Sequence, residues 1–307
     1  MDSSILFEMK DLKKIMPDIV VAGAPKCGTS ALISLLQKHP QVSGTSMKEP
    51  NFFSTTEGVV NSKLGKYGPN FSGKYHKGQS WYRKVFNEES KTCIDGSTLY
   101  FINQESPELI KKHAPDVKII IMLRDPAERI FSHYLQDHKL GFELPDFNDF
   151  IRTEHPKFAY YREISHYQKN IERFTQCFKQ EQLLVITLEA FKKDPSKVMD
   201  KILSFTGLVK SMSFNFNKNY NPRTIPRFAP ITRTISYLRE FGIRNSIPFP
   251  IRRVFGIFFS ILAKVNSREI NAEMTDAQYE FLISDFKKEL ALVQAITNSL
   301  LNEEIKD

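Results

Sequence analysis

The chain has 307 residues, 41% of them hydrophobic, enough for one large α/β domain with its own core. Its three cysteines, Cys27, Cys93 and Cys177, are an odd number without paired short spacing, which argues against a disulfide framework or a zinc site and fits a reducing cytosol. The formal charge of +8 favours an anionic ligand such as a phosphorylated cofactor, an acidic sugar or a membrane surface; nucleic acid is disfavoured, because there is no zinc-finger spacing, no ribonucleoprotein pattern and no long basic block.

The first sixteen residues mix Asp2, Glu8, Lys10, Asp11, Lys13 and Lys14 with scattered apolar residues and leave no apolar core for a signal peptide. The most apolar late stretch, 254–265, is shorter than the ~20 residues a spanning helix requires. A cytoplasmic protein without a transmembrane segment is the expectation.

Residues 18–22 are a β-branched and apolar run, 23–28 hold the turn formers Gly23, Pro25 and Gly28, and 30–38 have the apolar spacing of a helix. Strand, tight loop and helix in that order gather backbone amides at a helix N-terminus, where orphan N–H groups and the helix dipole favour a phosphate. Lys26 adds a cation, but it sits three places before its position in the Gly-x4-Gly-Lys-Ser/Thr loop of nucleoside triphosphatases, where this chain has Thr29. A phosphate still fits there; the usual reach of lysine to a β,γ-phosphate does not. From this stretch alone, a ligand-free turn stays open as well.

His39-Pro40 ends the helical run. A polar region follows to about residue 80 and contains Lys48-Glu49-Pro50-Asn51-Phe52-Phe53, a cation and a carboxylate ahead of two aromatics. Trp81, Tyr82, Val85 and Phe86 share helical spacing and suit a core. Residues 92–95 are a short strand, followed by the turn Gly96-Ser97 and a helix near 105–113. A second strongly apolar strand, 117–123, ends at Arg124, and Asp125-Pro126-Ala127-Glu128 opens a helix with a cap residue and proline at its first position. Arg124 at a strand end and Ser132 two turns into the helix make a sensible anion pair. Helical periodicity resumes over 160–178, a third core strand covers 182–187, and a helix over 195–205 closes at Gly207. Strands separated by helices imply a parallel sheet with its ligands at the carboxyl ends of the strands. Beyond this, 211–230 is a long basic loop with Lys218, Arg223 and Arg227. Residues 233–265 alternate basic and apolar residues as a lid, a membrane contact or packed helices would, and 274–301 reads as one long final helix.

Four separated stretches together resemble the sulfotransferases that use 3′-phosphoadenosine 5′-phosphosulfate (PAPS), especially the heparan-sulfate type and its bacterial relatives. They are Gly23-Ala24-Pro25-Lys26-Cys27-Gly28-Thr29-Ser30; Lys48-Glu49-Pro50 with Phe52-Phe53; Lys77-Gly78 with Trp81, Tyr82 and Phe86; and Leu123-Arg124-Asp125-Pro126 with Arg129, Ser132 and Tyr134. Order and approximate spacing agree over 17–210. The resemblance implies an α/β fold, a P-loop-like core with a central parallel sheet flanked by helices, in one domain over 1–307 whose core is about 17–210. It makes Lys26 the residue at the 5′-phosphate oxygens, with Cys27, Gly28, Thr29 and Ser30 as loop and helix-start donors. Arg124 and Ser132 then bind the 3′-phosphate, Glu49 is the general base, and Lys48 balances charge beside it. No metal is required for the chemistry so implied.

The chain also departs from the pattern. Asp95-Gly96-Ser97 stands where many relatives have Glu-Lys-Ser/Thr, which leaves Asp95 as a candidate acceptor contact. A late Lys-Gly-Arg cofactor loop is missing, and its duty falls by position on Arg223. His166 is either an acceptor contact or a helix-surface histidine. The resulting expectation is sulfo transfer from PAPS to a hydroxyl, or a nitrogen, of a small-molecule or sugar acceptor, in carbohydrate or secondary-metabolite sulfation. A P-loop phosphotransferase or triphosphatase, and a non-catalytic protein of anionic ligands or membrane surfaces, are the alternatives.

Overall fold

The computed structural model describes residues 16–55, 73–87, 91–153, 155–210, 214, 224–226, 228, 230–232, 234–235, 238, 249–269 and 272–302. Arg223 lies outside the described residues, as do the first fifteen residues and most of the basic loop 211–230. The chain divides into two compact units. The first comprises Met1–Asp125, Glu163–Lys218 and Lys287–Asp307, and the second Pro126–Arg162 and Asn219–Phe286.

The first unit is built on a five-stranded parallel sheet of β1 (Ile19–Gly23), β2 (Val42–Ser43), β3 (Thr92–Asp95), β4 (Lys118–Leu123) and β5 (Leu183–Thr187), in the order β2-β3-β1-β4-β5. β1 and β4 are the apolar runs anticipated from the sequence, and they are buried almost without interruption, as strands covered on both faces must be. From β1 the chain runs outward to β2, returns through β3, and then crosses to the other side as β4. The order of strands therefore reverses beside β1, where doubly wound sheets leave a crevice at their carboxyl edge.

Helices of this unit include α1 (Thr29–Leu36), α2 (Gln79–Arg83) and α3 (Ser106–His113). α1 stops two residues earlier than its apolar spacing suggested, because Gln37 caps it and the chain must leave helical geometry before Pro40. The second unit begins with α4 (Pro126–Lys139) and α5 (Phe147–Arg152), and α6 (Pro156–Ser165) reaches its end. α7 (Tyr167–Cys177), α8 (Leu188–Lys193) and α9 (Pro195–Thr206) return to the first unit. The single helix expected over 160–178 is thus two, broken at His166, whose ψ of 76° is not helical. In the same way the final helix expected over 274–301 is α11 (Asp276–Asp285) and α12 (Lys287–Asn302), interrupted at the fully buried Phe286. Periodicity continues across both breaks, so spacing alone does not reveal them.

Within the second unit, β6 (Thr224–Pro226) pairs antiparallel with β7 (Ser267–Glu269), and α10 (Phe249–Val265) precedes β7. α4 carries a buried polar ridge. Arg129, His133 and Asp137, four residues apart, share one face. Arg129 donates to the Tyr161 carbonyl at 2.6 Å and to His133 Nδ1 at 3.2 Å, while Asp137 accepts from Lys157 Nζ and from the Tyr161 hydroxyl. Lys157 and Asp137 form an ion pair, and the Arg129 guanidinium is hydrogen-bonded, as burial demands. Among the described residues no helix is long and apolar enough to cross a membrane.

Gly23 closes β1 with φ 147°, and a Cβ there would lie 2.5 Å from Phe101 Cβ and 3.2 Å from the Thr98 carbonyl. Gly23→Ala is expected to destabilise the protein by about 2 kcal/mol or more, read as a lower urea midpoint at unchanged slope.

Candidate active site

Three stretches of the first unit meet at the carboxyl edge of the sheet. The loop after β1 is fixed to the neighbouring strand by Ala24 N donating to the Met122 carbonyl at 2.7 Å, while Cys27 N turns back to the Ala24 carbonyl at 3.3 Å. Lys26 is left-handed (φ 71°), a conformation that costs a non-glycine residue free energy and directs the chain sharply through the turn. Gly28, also left-handed (φ 94°), caps α1 without any side-chain hydrogen bond. The first-turn amides of α1 therefore meet no capping side chain, and this is the arrangement that suits a bound anion. A Cβ at Gly28 would lie 2.9 Å from Leu188 Cδ1 and 3.1 Å from Met122 Cε, so the loop rests closely on β4 and α8.

Arg124 follows the last residue of β4 and is largely buried. Its carbonyl accepts from the Tyr167 hydroxyl at 2.7 Å, and that same hydroxyl lies 4.0 Å from Cys27 Sγ. Tyr167, fully buried at the first turn of α7, thus braces both the β1 loop and the end of β4. Periodicity assigned Tyr167 to a core helix and gave no sign of this bracing. Next along the chain, Asp125 N donates to Glu189 Oε1 on α8 at 3.0 Å, and β5 ends in register with Leu123.

The third stretch is the loop 48–54. Glu49 and Asn51 both have positive φ, 51° and 52°. Glu49 Oε2 accepts from Thr98 Oγ1 at 3.1 Å, Asn51 N donates to Ser97 Oγ at 3.0 Å, and Phe53 N donates to the Tyr100 hydroxyl at 3.3 Å. The loop therefore hangs on the turn that follows β3. Beneath that turn lies Asp95, with no exposed surface: Oδ2 accepts from the Tyr82 hydroxyl at 2.6 Å and the Tyr100 hydroxyl at 2.8 Å, and Oδ1 from Ser97 Oγ at 2.7 Å.

Asp95, which the sequence offered as an acceptor contact, has no exposed surface and three hydrogen bonds in place, and it anchors the turn beneath the Glu49 loop. Burial pushes its pKa above the ordinary value, with nearby Glu49 adding to the shift, and the three hydrogen bonds pull the other way. The same burial and the Asp95 charge push Tyr82 and Tyr100 well above the usual phenol range.

Asp95→Ala is expected to cost about 3 kcal/mol, because three buried hydroxyls lose their acceptor. A group whose pKa is raised by folding contributes most below its unfolded value and loses that contribution as pH rises through the folded value. The stability difference between the parent and Asp95→Asn should therefore shrink as pH rises through the acid range; growth instead would reverse the sign of this assignment.

The remaining candidates are dispersed. Lys48 is exposed, beside the half-buried Glu49. Ser132 is half-buried on α4, in the second unit. His166 stands at the break before α7, with Nδ1 3.5 Å from Glu289 Oε1 and its carbonyl accepting from Asn170 Nδ2 at 3.0 Å, which gives it a structural partner. Among the described residues no cluster of His, Cys, Asp and Glu forms a metal site.

The sulfotransferase domain family matches residues 16–221, two thirds of the chain and the whole of the sheet edge described above. The chain belongs to that family. Among curated relatives, the mouse heparan sulfate glucosamine 3-O-sulfotransferase 3A1 is 27% identical over 219 residues, covering 67% of this chain and 50% of that protein. The mouse bifunctional heparan sulfate N-deacetylase/N-sulfotransferase 4 is 28% identical over 225 residues, covering 68% of this chain and 24% of that protein. The chain thus spans half the length of the first and about a quarter of the second. A solved sulfotransferase from Alicyclobacillus acidocaldarius superposes with a TM-score of 0.60 at 21% identity, over 92% of this chain and 96% of that one, and so shares the fold. The P-loop-like α/β architecture that the resemblance implied is the one found.

Proposed function

We propose that this chain moves the sulfo group of PAPS onto a hydroxyl, or an amine, of a carbohydrate or small-molecule acceptor. The observation that carries this reading is the position of Lys26. It lies within the turn, three places before the usual triphosphate lysine, while Arg124 ends the strand against which the same loop is pinned. Thr29 occupies the lysine place of a triphosphatase, which disfavours that alternative.

The residues present fit the cofactor's anions. Lys26, with the backbone of Cys27, Gly28, Thr29 and Ser30, is assigned to the 5′-phosphate side and Arg124 to the 3′-phosphate; Ser132 and Arg223 are assigned to the cofactor from the sequence alone. PAPS supplies an activated sulfo group. With the cofactor bound, Glu49 would accept the proton of the acceptor hydroxyl or amine, and Lys26 would stabilise the negative charge developing on the 5′-phosphate side. Lys48, exposed beside Glu49, is assigned the milder role of keeping the local potential positive. Positioning and charge stabilisation carry the acceleration.

The family relatives are named for an O-sulfotransferase and an N-sulfotransferase of heparan sulfate, which supports a sugar hydroxyl or amine as the acceptor class. The cysteine usage keeps a cytosolic setting as the preferred one. Incubating the purified chain with radiolabelled PAPS and a panel of desulfated oligosaccharides, small phenols and a host extract tests the proposal. Label is expected in an acceptor fraction. Stabilisation by magnesium–ATP in place of adenosine 3′,5′-bisphosphate, with no labelled acceptor, would move the assignment to a phosphotransferase.

A further inference from the structure

α10 is turned inside out. Phe255, Phe258, Ile261 and Val265, three or four residues apart, form one stripe, and Ile257 flanks it; all five are 51–67% exposed. The other side of the helix, with Gly256, Phe259 and Ala263, is the half-buried one. A helix of a soluble protein ordinarily buries its apolar stripe, and a contiguous outward one marks a binding surface.

The charge carried by the same helix indicates what the stripe meets. Along its sequence α10 has Arg252, Arg253 and Lys264 and no acidic residue, a net +3. A two-fold contact between copies of this chain through α10 would set two like-charged helices against each other. An anionic lipid surface complements a basic helix and receives the exposed Phe and Ile side chains between its headgroups. With 17 residues, α10 is about 26 Å long and lies on a bilayer rather than crossing it.

We infer that α10 is a docking surface for anionic membranes, seating the enzyme reversibly on a lipid interface. The inference does not depend on the reaction proposed above, because none of the residues assigned to that chemistry lies on α10.

Sedimentation of the full chain with vesicles of phosphatidylcholine, with and without a minor share of phosphatidylglycerol, tests it. The parent is expected to pellet with the anionic vesicles, to be released by raised salt, and to stay in solution with the neutral ones. The double variant Phe258→Asp, Ile261→Asp, altered only at exposed positions, should lose vesicle partitioning by about tenfold or more at an unchanged unfolding midpoint. Failure of the parent to pellet with anionic vesicles, or equal pelleting of the variant, would overturn the inference. So would a parent that sediments as a dimer and a variant that sediments as a monomer, which would assign the stripe to a second copy of the chain.

Discussion

Glu49→Gln is expected to bind adenosine 3′,5′-bisphosphate as tightly as the parent while transferring the sulfo group ~10²–10⁴-fold more slowly. The substitution keeps the size of the side chain and its capacity to accept from Thr98 Oγ1, the contact that holds Glu49 to the turn after β3. It removes the negative charge that, on the proposed function, receives the acceptor's proton. Because the loop is fastened independently through Asn51 and Phe53, its conformation should survive, and the loss should fall on kcat. Single-turnover transfer with radiolabelled PAPS, alongside calorimetry with the bisphosphate, separates the two quantities. Unchanged turnover would take the role of base from Glu49.

The second large effect belongs to Lys26. Lys26→Ala should lower the transfer rate by ~10²–10³-fold, the magnitude seen when one preorganised donor is removed from a developing charge. Lys26→Arg should not restore the parent rate, since a guanidinium is a planar fork where the turn presents a compact ammonium. Lys26→Ala leaves the left-handed backbone strain in place, as alanine is strained there too; Lys26→Gly separates the two contributions. A glycine variant as stable as the parent or more so, and as slow as Lys26→Ala, would place the whole effect on the lost charge.

The parts legible in the sequence were those where one physical signal dominated. β1 and β4 announce themselves as unbroken apolar runs because a parallel strand is buried on both faces, and the β1 loop by its glycines and its displaced lysine. Arg124 was legible as a strand-end cation. Asp95 was not legible as an anchor, because its partners are drawn from three places, Tyr82, Ser97 and Tyr100, and only packing shows that together they use up both of its oxygens. Tyr167 escaped for a similar reason: a tyrosine at helical spacing reads as core, and its bond to the Arg124 carbonyl spans 43 residues. Lys48 and Glu49 read as a pair because they are adjacent, yet the left-handed turn at Glu49 leaves Lys48 exposed. The helix breaks at His166 and Phe286 were invisible to periodicity, and so was the division of the chain into two units, which is a matter of contacts between distant segments. The outward stripe of α10 was legible as amphipathic, but only burial shows which side faces water.

The proposed function requires the sheet edge to take two phosphates at once, one at the Lys26 loop and one at Arg124. Isothermal calorimetry of the parent and Arg124→Ala with adenosine 3′,5′-bisphosphate and with adenosine 5′-monophosphate tests that claim most directly. The parent should bind the bisphosphate at least about tenfold more tightly than the monophosphate, and Arg124→Ala should erase that preference with little effect on the monophosphate. Equal affinity of the parent for the two nucleotides, or a preference that survives Arg124→Ala, would contradict it.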